Sequence, residues 1–445
     1  MNEDLFGRQL TATQLPPTFE PTDPRIVSRP AMTISGRWVR CERCHQQLEK
    51  VHVALPAGGY YCPDCLALGR ITSRQSLLTI PEPNAFPSQT NTLTWVGSLT
   101  RLQQICAQDV QNVFVKRQRH LLWAVTGAGK TEMLFLGLAD ALKRGDRVAV
   151  ASPRVDVCIE LFPRFQQAFK NTPMVLLHGQ QTEPYRYCQF TVCTTHQLLR
   201  FYHAFDVLVV DEVDAFPFAQ NKQLMFAVDQ AIKPNGACLY LTATPGTELM
   251  HAVTRRQLTM SYLPLRFHGH LLPEIQCRGA WHWREKLRHG RLPAGLQVAV
   301  TTRLRQHKRF LLFVPHVAQL SDVAAAIRHF APRASFVTVH AADGERVEKV
   351  AAMRQKKVDF LVTTTILERG VTFPDIDVLV LGADDAVFSA AALVQIAGRA
   401  GRNAAAPDGK VIYWIEQTTL TLRRAIRQIQ VVNQKGRRLP EWRHV

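Results

Sequence analysis

The sequence predicts an α/β fold in which two tandem doubly wound parallel-sheet lobes follow a small module built on four cysteines. From about residue 93, short apolar runs rich in β-branched residues alternate with helical patterns, and the alternation repeats after a change near residues 265–300. Two C-x-x-C pairs precede both series. Because a chain of 445 residues exceeds what one hydrophobic core usually holds, we expect two or three domains.

The apolar runs are continuous rather than alternating, which is what strands covered on both faces of a parallel sheet require. The first series begins at residues 121, 147, 174, 190, 207 and 238, and the second at residues 309, 335, 359, 376 and 410. Each series therefore predicts one doubly wound lobe.

The composition along the chain predicts five segments. They are a mobile N-terminal tail over 1–40, a four-cysteine module over 41–70, a linker over 71–92, a first lobe over 93–275 and a C-terminal second lobe over 285–445.

The charge balance favours a polyanionic partner over an ordinary solvated basic surface. Lys and Arg outnumber Asp and Glu by 54 to 36, a formal net charge of +18. The sequence contains neither a signal-peptide pattern nor an apolar run of the ~20 residues that a spanning helix needs. We therefore expect a cytoplasmic protein, and association with the inner face of the membrane is left open.

The loop expected to bind a nucleotide follows the apolar run at 121 and precedes a helical pattern. Backbone N–H groups at such a helix start attract phosphate, and Gly127 and Gly129 allow a close approach. Lys130 would hold the β- and γ-phosphates, and Thr131 would bind Mg²⁺. Ala124 stands where the general pattern has its first glycine. The expected nucleotide-contacting residues of this loop are Thr126, Gly127, Ala128, Gly129, Lys130 and Thr131.

Two adjacent carboxylates, Asp211 and Glu212, follow four apolar residues at the end of a predicted strand. Strand ends of an open parallel sheet surround its ligand site. Asp211 can bind Mg²⁺ and Glu212 can polarise the attacking water.

Positive charge for the developing γ-phosphate is expected from the run Q-I-A-G-R-A-G-R in the second series. Gln395, Arg399 and Arg402 are the candidate catalytic residues there. Because they lie far along the chain from Lys130, the catalytic site is expected to be complete only when the two lobes close. An arginine supplied in this way is worth roughly 10³ to 10⁵ in rate.

The paired cysteines Cys41, Cys44, Cys62 and Cys65 have the spacing of two knuckles around one tetrahedral zinc ion. Four thiolates leave no open coordination position, so a structural role is expected. Replacement of one cysteine by His45 and redox activity of the pairs are the alternatives.

Taken in order, these motifs resemble those of a superfamily-two, DEAD-like helicase with RecA-like lobes, over roughly residues 95–420. The resemblance implies that Thr242 and Thr244 couple hydrolysis to lobe movement and that Gln103, rather than Gln104, contacts adenine. It also implies contacts to a nucleic-acid backbone, which fix position without reading sequence. The candidates for these contacts are Arg154, Thr194, Thr195, Thr363 and Thr364. Asp214 departs from the D-E-A-H spelling, and the spelling D-E-V-D does not decide between DNA and RNA.

With the four cysteines ahead of AVTGAGKTEM, DEVDAFPF and QIAGRAGR, the chain resembles the ComFA family, the late-competence DNA-uptake motors of Gram-positive bacteria. The likeness implies an ATPase stimulated by single-stranded DNA, acting beside a membrane DNA channel and a phosphoribosyltransferase-like partner. The oligomeric state is left open.

Three other functions compete with this interpretation. A primosomal replication-restart helicase shares AVTGAGKTE, but its cysteines interrupt the region after the first lobe. A zinc-bearing adaptor that closes on DNA with ATP without turnover is a second, and an RNA-remodelling helicase is a third.

Overall fold

The structure, a computed structural model, describes residues 2–87, 89–181, 184–369, 373–403 and 407–444. Its residues form two compact units. The first unit comprises Met1–Trp123 and Lys130–Tyr262, and the second unit comprises Ala124–Gly129 and Leu263–Val445.

The strands of the N-terminal part are short. They are β1 (Val27–Pro30), β2 (Met32–Ser35), β3 (Trp38–Cys41), β4 (Gln47–Glu49) and β5 (Ser76–Thr79). Strands β2, β3 and β4 form an antiparallel sheet, and β1 pairs antiparallel with β5. Single 3-10 turns flank these strands at Glu3–Leu5, Ala12–Gln14, Lys50–His52 and Pro63–Leu68.

A seven-stranded sheet forms the core of the first unit, in the order β12-β6-β11-β10-β7-β9-β8. Its strands are β6 (Arg119–Ala124), β7 (Val148–Ser152), β8 (Met174–Leu177), β9 (Phe190–Thr194), β10 (Phe205–Val210), β11 (Ile232–Thr242) and β12 (Thr259–Leu263). The five pairs from β6 to β8 are parallel. All five residues of β7 and of β9 are buried, as a sheet covered on both faces requires.

The helices of the first unit are α1 (Arg101–Val115), α2 (Phe135–Lys143), α3 (Val155–Ala168), α4 (Lys222–Ala231) and α5 (Thr247–Thr254), with 3-10 turns at Glu132–Leu134 and Thr195–Arg200. Helix α1 begins with a capping box, in which Thr100 and Gln103 satisfy each other's backbone N–H groups. Its buried stripe then packs against α2 and β11.

The second unit has a six-stranded sheet in the order β13-β18-β17-β14-β16-β15, with every neighbouring pair parallel. Its strands are β13 (Ile275–Gly279), β14 (Phe310–Phe313), β15 (Phe336–Val339), β16 (Phe360–Thr363), β17 (Asp377–Leu381) and β18 (Val411–Ile415). Its helices are α6 (Trp283–Arg288), α7 (Ala294–Arg305), α8 (Leu320–Phe330), α9 (Arg346–Arg354), α10 (Ala390–Ala397) and α11 (Leu420–Gly436), with 3-10 turns at Val317–Gln319, Thr365–Glu368 and Pro440–His444.

The predicted fold class is confirmed, because each of the eleven apolar runs contains a strand of one of the two large sheets. The outermost strands β12 and β13 were not predicted. Strand β13 pairs with β18, so Ile275 belongs to the second sheet although the sequence assigned it to the end of the first lobe.

Part of the segment expected to be a mobile tail is instead packed within the first unit. Leu5, Phe6 and Leu10 are buried together with Ile80, and Leu10 exchanges backbone hydrogen bonds with Leu78. The expected linker likewise contains β5, which pairs with β1. Because these segments form only four-residue strands and single 3-10 turns, no sustained period of 2 or 3.6 marks them in the sequence. The other domain boundaries stay predictions.

Among the described residues, no helix combines the length and the apolar character that crossing a membrane requires.

Candidate functional site

The glycine-containing loop lies between β6 and the helical turn at Glu132–Leu134. Gly127 and Gly129 have φ of +80° and +75°, a backbone conformation that strains any residue with a side chain. The loop therefore needs glycine at these two positions to adopt its backbone conformation. Thr131 precedes the helical turn and is buried. This is the backbone geometry that phosphate binding calls for.

Asp211 and Glu212 directly follow β10, as the sequence predicted. The backbone N–H of Asp211 donates to Ala151 O over 2.8 Å, and Asp211 Oδ1 accepts from the backbone N–H of Glu212 over 2.8 Å. Burial, and next the charge of Glu212, raise the pKa of Asp211 to about 6, while Lys130 lowers it. Lys130 therefore lies within electrostatic reach of this carboxylate. A bound Mg²⁺ would favour the ionised form of Asp211.

Asp214 connects the acidic residues after β10 to two threonines, Thr242 at the end of β11 and Thr244 just beyond it. Its carboxylate accepts hydrogen bonds from the hydroxyls of Thr242, over 2.6 Å, and Thr244. Thr242 Oγ1 also accepts from the backbone N–H of Thr244 over 2.9 Å. A displacement of the acidic loop would therefore move both threonines, which is the geometry that a coupling role requires.

Gln395 lies on α10, and the two arginines lie in the turn that follows it. Arg399 is buried and donates through Nε to Glu368 O over 2.9 Å, whereas Arg402 donates through Nε to Gly398 O over 3.1 Å. The second unit thus fixes both guanidinium groups to backbone carbonyls of its own.

Most of the remaining residues predicted to contact nucleotide or nucleic acid are buried. Gln103 is buried and its amide oxygen accepts from the backbone N–H of Thr100, so it caps α1 in this structure. Thr195 and Thr363 are fully buried, and the Thr363 hydroxyl donates to Val339 O over 2.9 Å. Arg154, Thr194 and Thr364 lie at the ends of β7, β9 and β16. The roles of all six residues stay predictions. Residues 370–372, which follow Thr363 and Thr364 along the chain, lie outside the described residues.

The four predicted metal ligands come together. The sulfur atoms of Cys41, Cys44, Cys62 and Cys65 all lie within 4.8 Å of one another and are buried. Cys41 Sγ lies 3.8 Å from Cys65 Sγ, and Cys44 Sγ lies 3.5 Å from Cys62 Sγ. Four sulfurs each 2.3 Å from a zinc ion stand about 3.8 Å apart, so the residues fit a tetrahedral Zn²⁺. Among the described residues, His45 is not part of this group.

Arg43, inside the first cysteine pair, is a basic residue that the sequence left compatible with DNA or with an acidic partner. It is fully buried and donates through Nη2 to Cys65 O over 3.0 Å and to Gly69 O over 2.6 Å. Hydrogen bonds with the neighbouring thiols, Cys41 first, and the charge of Arg43 lower the pKa of Cys65. Arg43 therefore favours the thiolate that a metal needs. Its position between two cysteines was the available signal.

Comparison with known proteins identifies the family. Residues 100–252 match the DEAD/DEAH box helicase family, and residues 294–404 match the helicase conserved C-terminal domain. The competence protein ComFA of Bacillus subtilis is 38% identical over 412 residues, which is 92% of this chain and 89% of that protein. The competence protein ComFA of Streptococcus pneumoniae is 37% identical over 439 residues, 98% of this chain and 99% of that protein. The chain belongs to the ComFA family.

Solved helicase structures share the fold. The Mycobacterium smegmatis helicase Lhr, bound to single-stranded DNA and AMP-PNP, superposes with a TM-score of 0.56 at 16% identity, covering 76% of this chain and 50% of that one. Yeast Dbp5, bound to RNA and ADP-BeF3, gives a TM-score of 0.54 at 14% identity, covering 76% of this chain and 92% of that one. At such low identity, these likenesses concern the fold alone.

Membership of the ComFA family and the two helicase matches confirm the predicted resemblance. This ComFA protein is a competence-associated helicase or translocase of superfamily two that acts on nucleic acid. Its helicase domains use ATP and Mg²⁺.

Proposed function

We propose that this chain is an ATPase stimulated by single-stranded DNA, which translocates on that DNA and drives the uptake of transforming DNA during natural competence. The observation that carries the proposal is the likeness to two ComFA proteins over 92% and 98% of the chain. The strongly basic composition, +18 in formal charge, supports a polyanionic partner.

For the nucleotide, we propose that the backbone of residues 126–131 and the Lys130 side chain hold the phosphates. Thr131 and Asp211 would hold Mg²⁺, which neutralises charge on the phosphates when it is bound. Glu212 orients the attacking water. Gln395, Arg399 and Arg402 supply polar and positive groups for the charge that develops in the transition state.

For the nucleic acid, we propose that Arg154 and the threonine pairs at the ends of β9 and β16 contact the sugar-phosphate backbone. Of these, Arg154 is the strongest candidate, because it is half-buried whereas all four threonines are buried. Thr242 and Thr244 would couple hydrolysis to movement through Asp214, whose carboxylate binds both hydroxyls.

The zinc module is proposed to hold one structural Zn²⁺ through its four cysteines. We also propose the division into a module over 41–70 and two helicase lobes, with action on the cytoplasmic side of the membrane. A phosphoribosyltransferase-like competence protein and a membrane DNA channel are the proposed partners, by analogy with the family.

The direct test is the rate of ATP hydrolysis titrated with single-stranded DNA, duplex DNA and RNA. We expect single-stranded DNA to stimulate hydrolysis most. Lys130→Ala should abolish the stimulated rate, because it removes the cation that holds the β- and γ-phosphates. Lys143→Ala is a matched control, since Lys143 is an exposed lysine at the end of α2.

The outcomes separate the competing functions. Stimulation by RNA alone would exclude DNA uptake and favour RNA remodelling. ATP-dependent DNA binding without stimulated phosphate release would indicate the adaptor. Uptake of labelled DNA by cells that carry only the Lys130→Ala variant should be lost, whereas a replication-restart function would leave uptake intact.

A further inference from the structure

A buried arginine that no predicted motif contains lies just beyond β12. Arg266 is 2% exposed and belongs to the second unit. Its side chain reaches the turn after α10 that carries Arg399 and Arg402. This turn, residues 398–402, is called the arginine turn below.

Arg266 binds the arginine turn at three backbone carbonyls. Nη1 donates to Ala400 O over 2.8 Å and to Gly401 O over 2.5 Å, and Nη2 lies 3.4 Å from Gly398 O. Gly398 O also accepts the Nε–H of Arg402 over 3.1 Å. Gly398 O therefore lies against both Arg266 and Arg402, and Arg402 is the arginine proposed to act on the phosphate. The position of the Arg266 guanidinium thus affects the position of the Arg402 guanidinium.

The chemistry of this contact is unusual for a buried cation. The three acceptors are neutral carbonyls, and among the described residues no carboxylate forms an ion pair with Arg266. Burial lowers the pKa of Arg266 to about 10. A buried charge without a counter-ion costs stability, so a hydrophobic residue would serve better if packing were the only requirement.

The neighbouring residue ties the same segment to the phosphate-binding loop. The backbone N–H of Phe267 donates to Gly127 O over 2.9 Å, and Gly127 is part of the second unit. The Arg266 side chain lies beside Gly127, since a Cβ placed there would stand 3.7 Å from Arg266 Cγ. Two consecutive residues thus bind the phosphate loop and the arginine turn.

We propose that Arg266 is a positioning residue for ATP hydrolysis, which holds the arginine turn through its carbonyls so that Arg402 is presented in its working geometry. Within the second unit, Phe267 and Arg266 together link the position of Gly127 to that of the arginine turn. This inference rests on the ATPase activity of the proposed function and is independent of which nucleic acid stimulates it.

The test is a double-mutant cycle in the full-length protein, with Arg266→Gln and Arg402→Ala, read out by the steady-state rate of ATP hydrolysis over a range of ATP concentrations. Misplacing a catalytic group by about 1 Å costs about 10²-fold, so we expect Arg266→Gln to lower kcat by about that factor with little change in KM for ATP. In the Arg402→Ala background, Arg266→Gln should have less than a twofold further effect. Arg266→Lys should recover only part of the rate, because an ammonium cannot reach all three carbonyls.

The control is Arg303→Gln, which removes another buried arginine of the second unit. Arg303 pairs with Asp377 and donates to Ala299 O, away from the arginine turn. Any effect of Arg303→Gln on kcat should multiply with that of Arg402→Ala. If the effect of Arg266→Gln also multiplies, or if kcat is unchanged, the inference is wrong. A wild-type protein without ATPase activity would instead overturn the proposed function.

A second measurement does not depend on activity. Hydrogen exchange of amides 395–403 should be faster in Arg266→Lys than in the wild type, with exchange in β14 and β17 unchanged. Unchanged exchange in the arginine turn would overturn the proposal even if Arg266→Gln proved too unstable for kinetics.

Discussion

Each unit buries several arginines, and two of them, Arg147 in the first unit and Arg266 in the second, have different surroundings. In the first unit, Arg147 is fully buried, forms an ion pair with Glu82, donates to Tyr185 Oη over 2.7 Å and donates to Phe6 O over 2.9 Å. In the second unit, the acceptors of Arg266 are neutral carbonyls.

The presence or absence of a counter-ion distinguishes a buried arginine that stabilises the fold from a buried arginine with another role. Burial would lower the pKa of Arg147, but Tyr185, Glu82 and Tyr187 together raise it. The charge is thus compensated, and the network fastens the N-terminal segment to the first sheet. Within the part of the chain that the structure describes, Arg266 has no counter-ion, so its removal should affect activity more than stability.

The largest expected effect tests whether the N-terminal region of the first unit depends on metal. Cys62→Ser should reduce bound zinc from one ion per chain to none, because it removes one of the four thiolate ligands. The segment should then unfold, because a structural site contributes on the order of 10 kcal/mol to folding its segment. Metal analysis would measure the bound zinc, and hydrogen exchange of residues 38–72 would measure the folding of the segment. Cys277→Ser, at an exposed cysteine of the second unit, should change neither quantity. Retention of zinc by Cys62→Ser would contradict the four-cysteine site.

The second prediction breaks the compensated network of the first unit. Arg147→Met should lower the free energy of unfolding by about 3–5 kcal/mol, because it leaves the Glu82 carboxylate buried without its partner. Urea unfolding would measure the loss. The double variant Arg147→Met/Glu82→Gln should recover part of it, and no recovery would mean that the ion pair is not the cause.

The third prediction concerns the pH dependence of stability and a buried histidine of the first unit. Burial lowers the pKa of His120 to about 4, and the ring hydrogen-bonds to Thr259 and Ser261, with the charge of Asp109 opposing the shift. Between pH 6.5 and 4 the unfolded chain binds the proton more readily, so stability falls as pH falls through this window. The full shift corresponds to at most about 3 kcal/mol.

The measurement is the free energy of unfolding against pH for wild type and His120→Gln. The difference between the two curves should be flat above pH 6.5 and change below it. A difference that is flat throughout would contradict the assignment to His120.

The smallest expected effect on stability is that of Arg266→Met. Loss of the hydrogen bonds to three carbonyls is offset by removal of an uncompensated buried charge, so the unfolding free energy should change by less than about 1 kcal/mol. Measured beside Arg147→Met in the same urea series, it would sharpen the contrast between the two arginines. A loss as large as that of Arg147→Met would remove the distinction.

Much of the fold and of the nucleotide site followed from the sequence. The eleven apolar runs all contain strands, and Asp211 and Glu212 lie directly after β10 as expected. The hydrogen bonds that Gln103, Thr363, Arg43 and Arg266 form in the structure were not predicted. These contacts depend on partners distant in sequence.

The sequence by itself determined the α/β class, the phosphate loop, the acidic pair and the four-cysteine module, because each is a fixed spacing or a local period among neighbouring residues. The tertiary structure alone decided that Leu5, Phe6 and Leu10 are buried, that Arg147 is ion-paired and that Arg266 binds the arginine turn. Glu82 lies 65 residues from Arg147, and Ala400 lies 134 residues from Arg266. Pairings at such separations are fixed only when the packing of whole sheets and helices brings the two segments together.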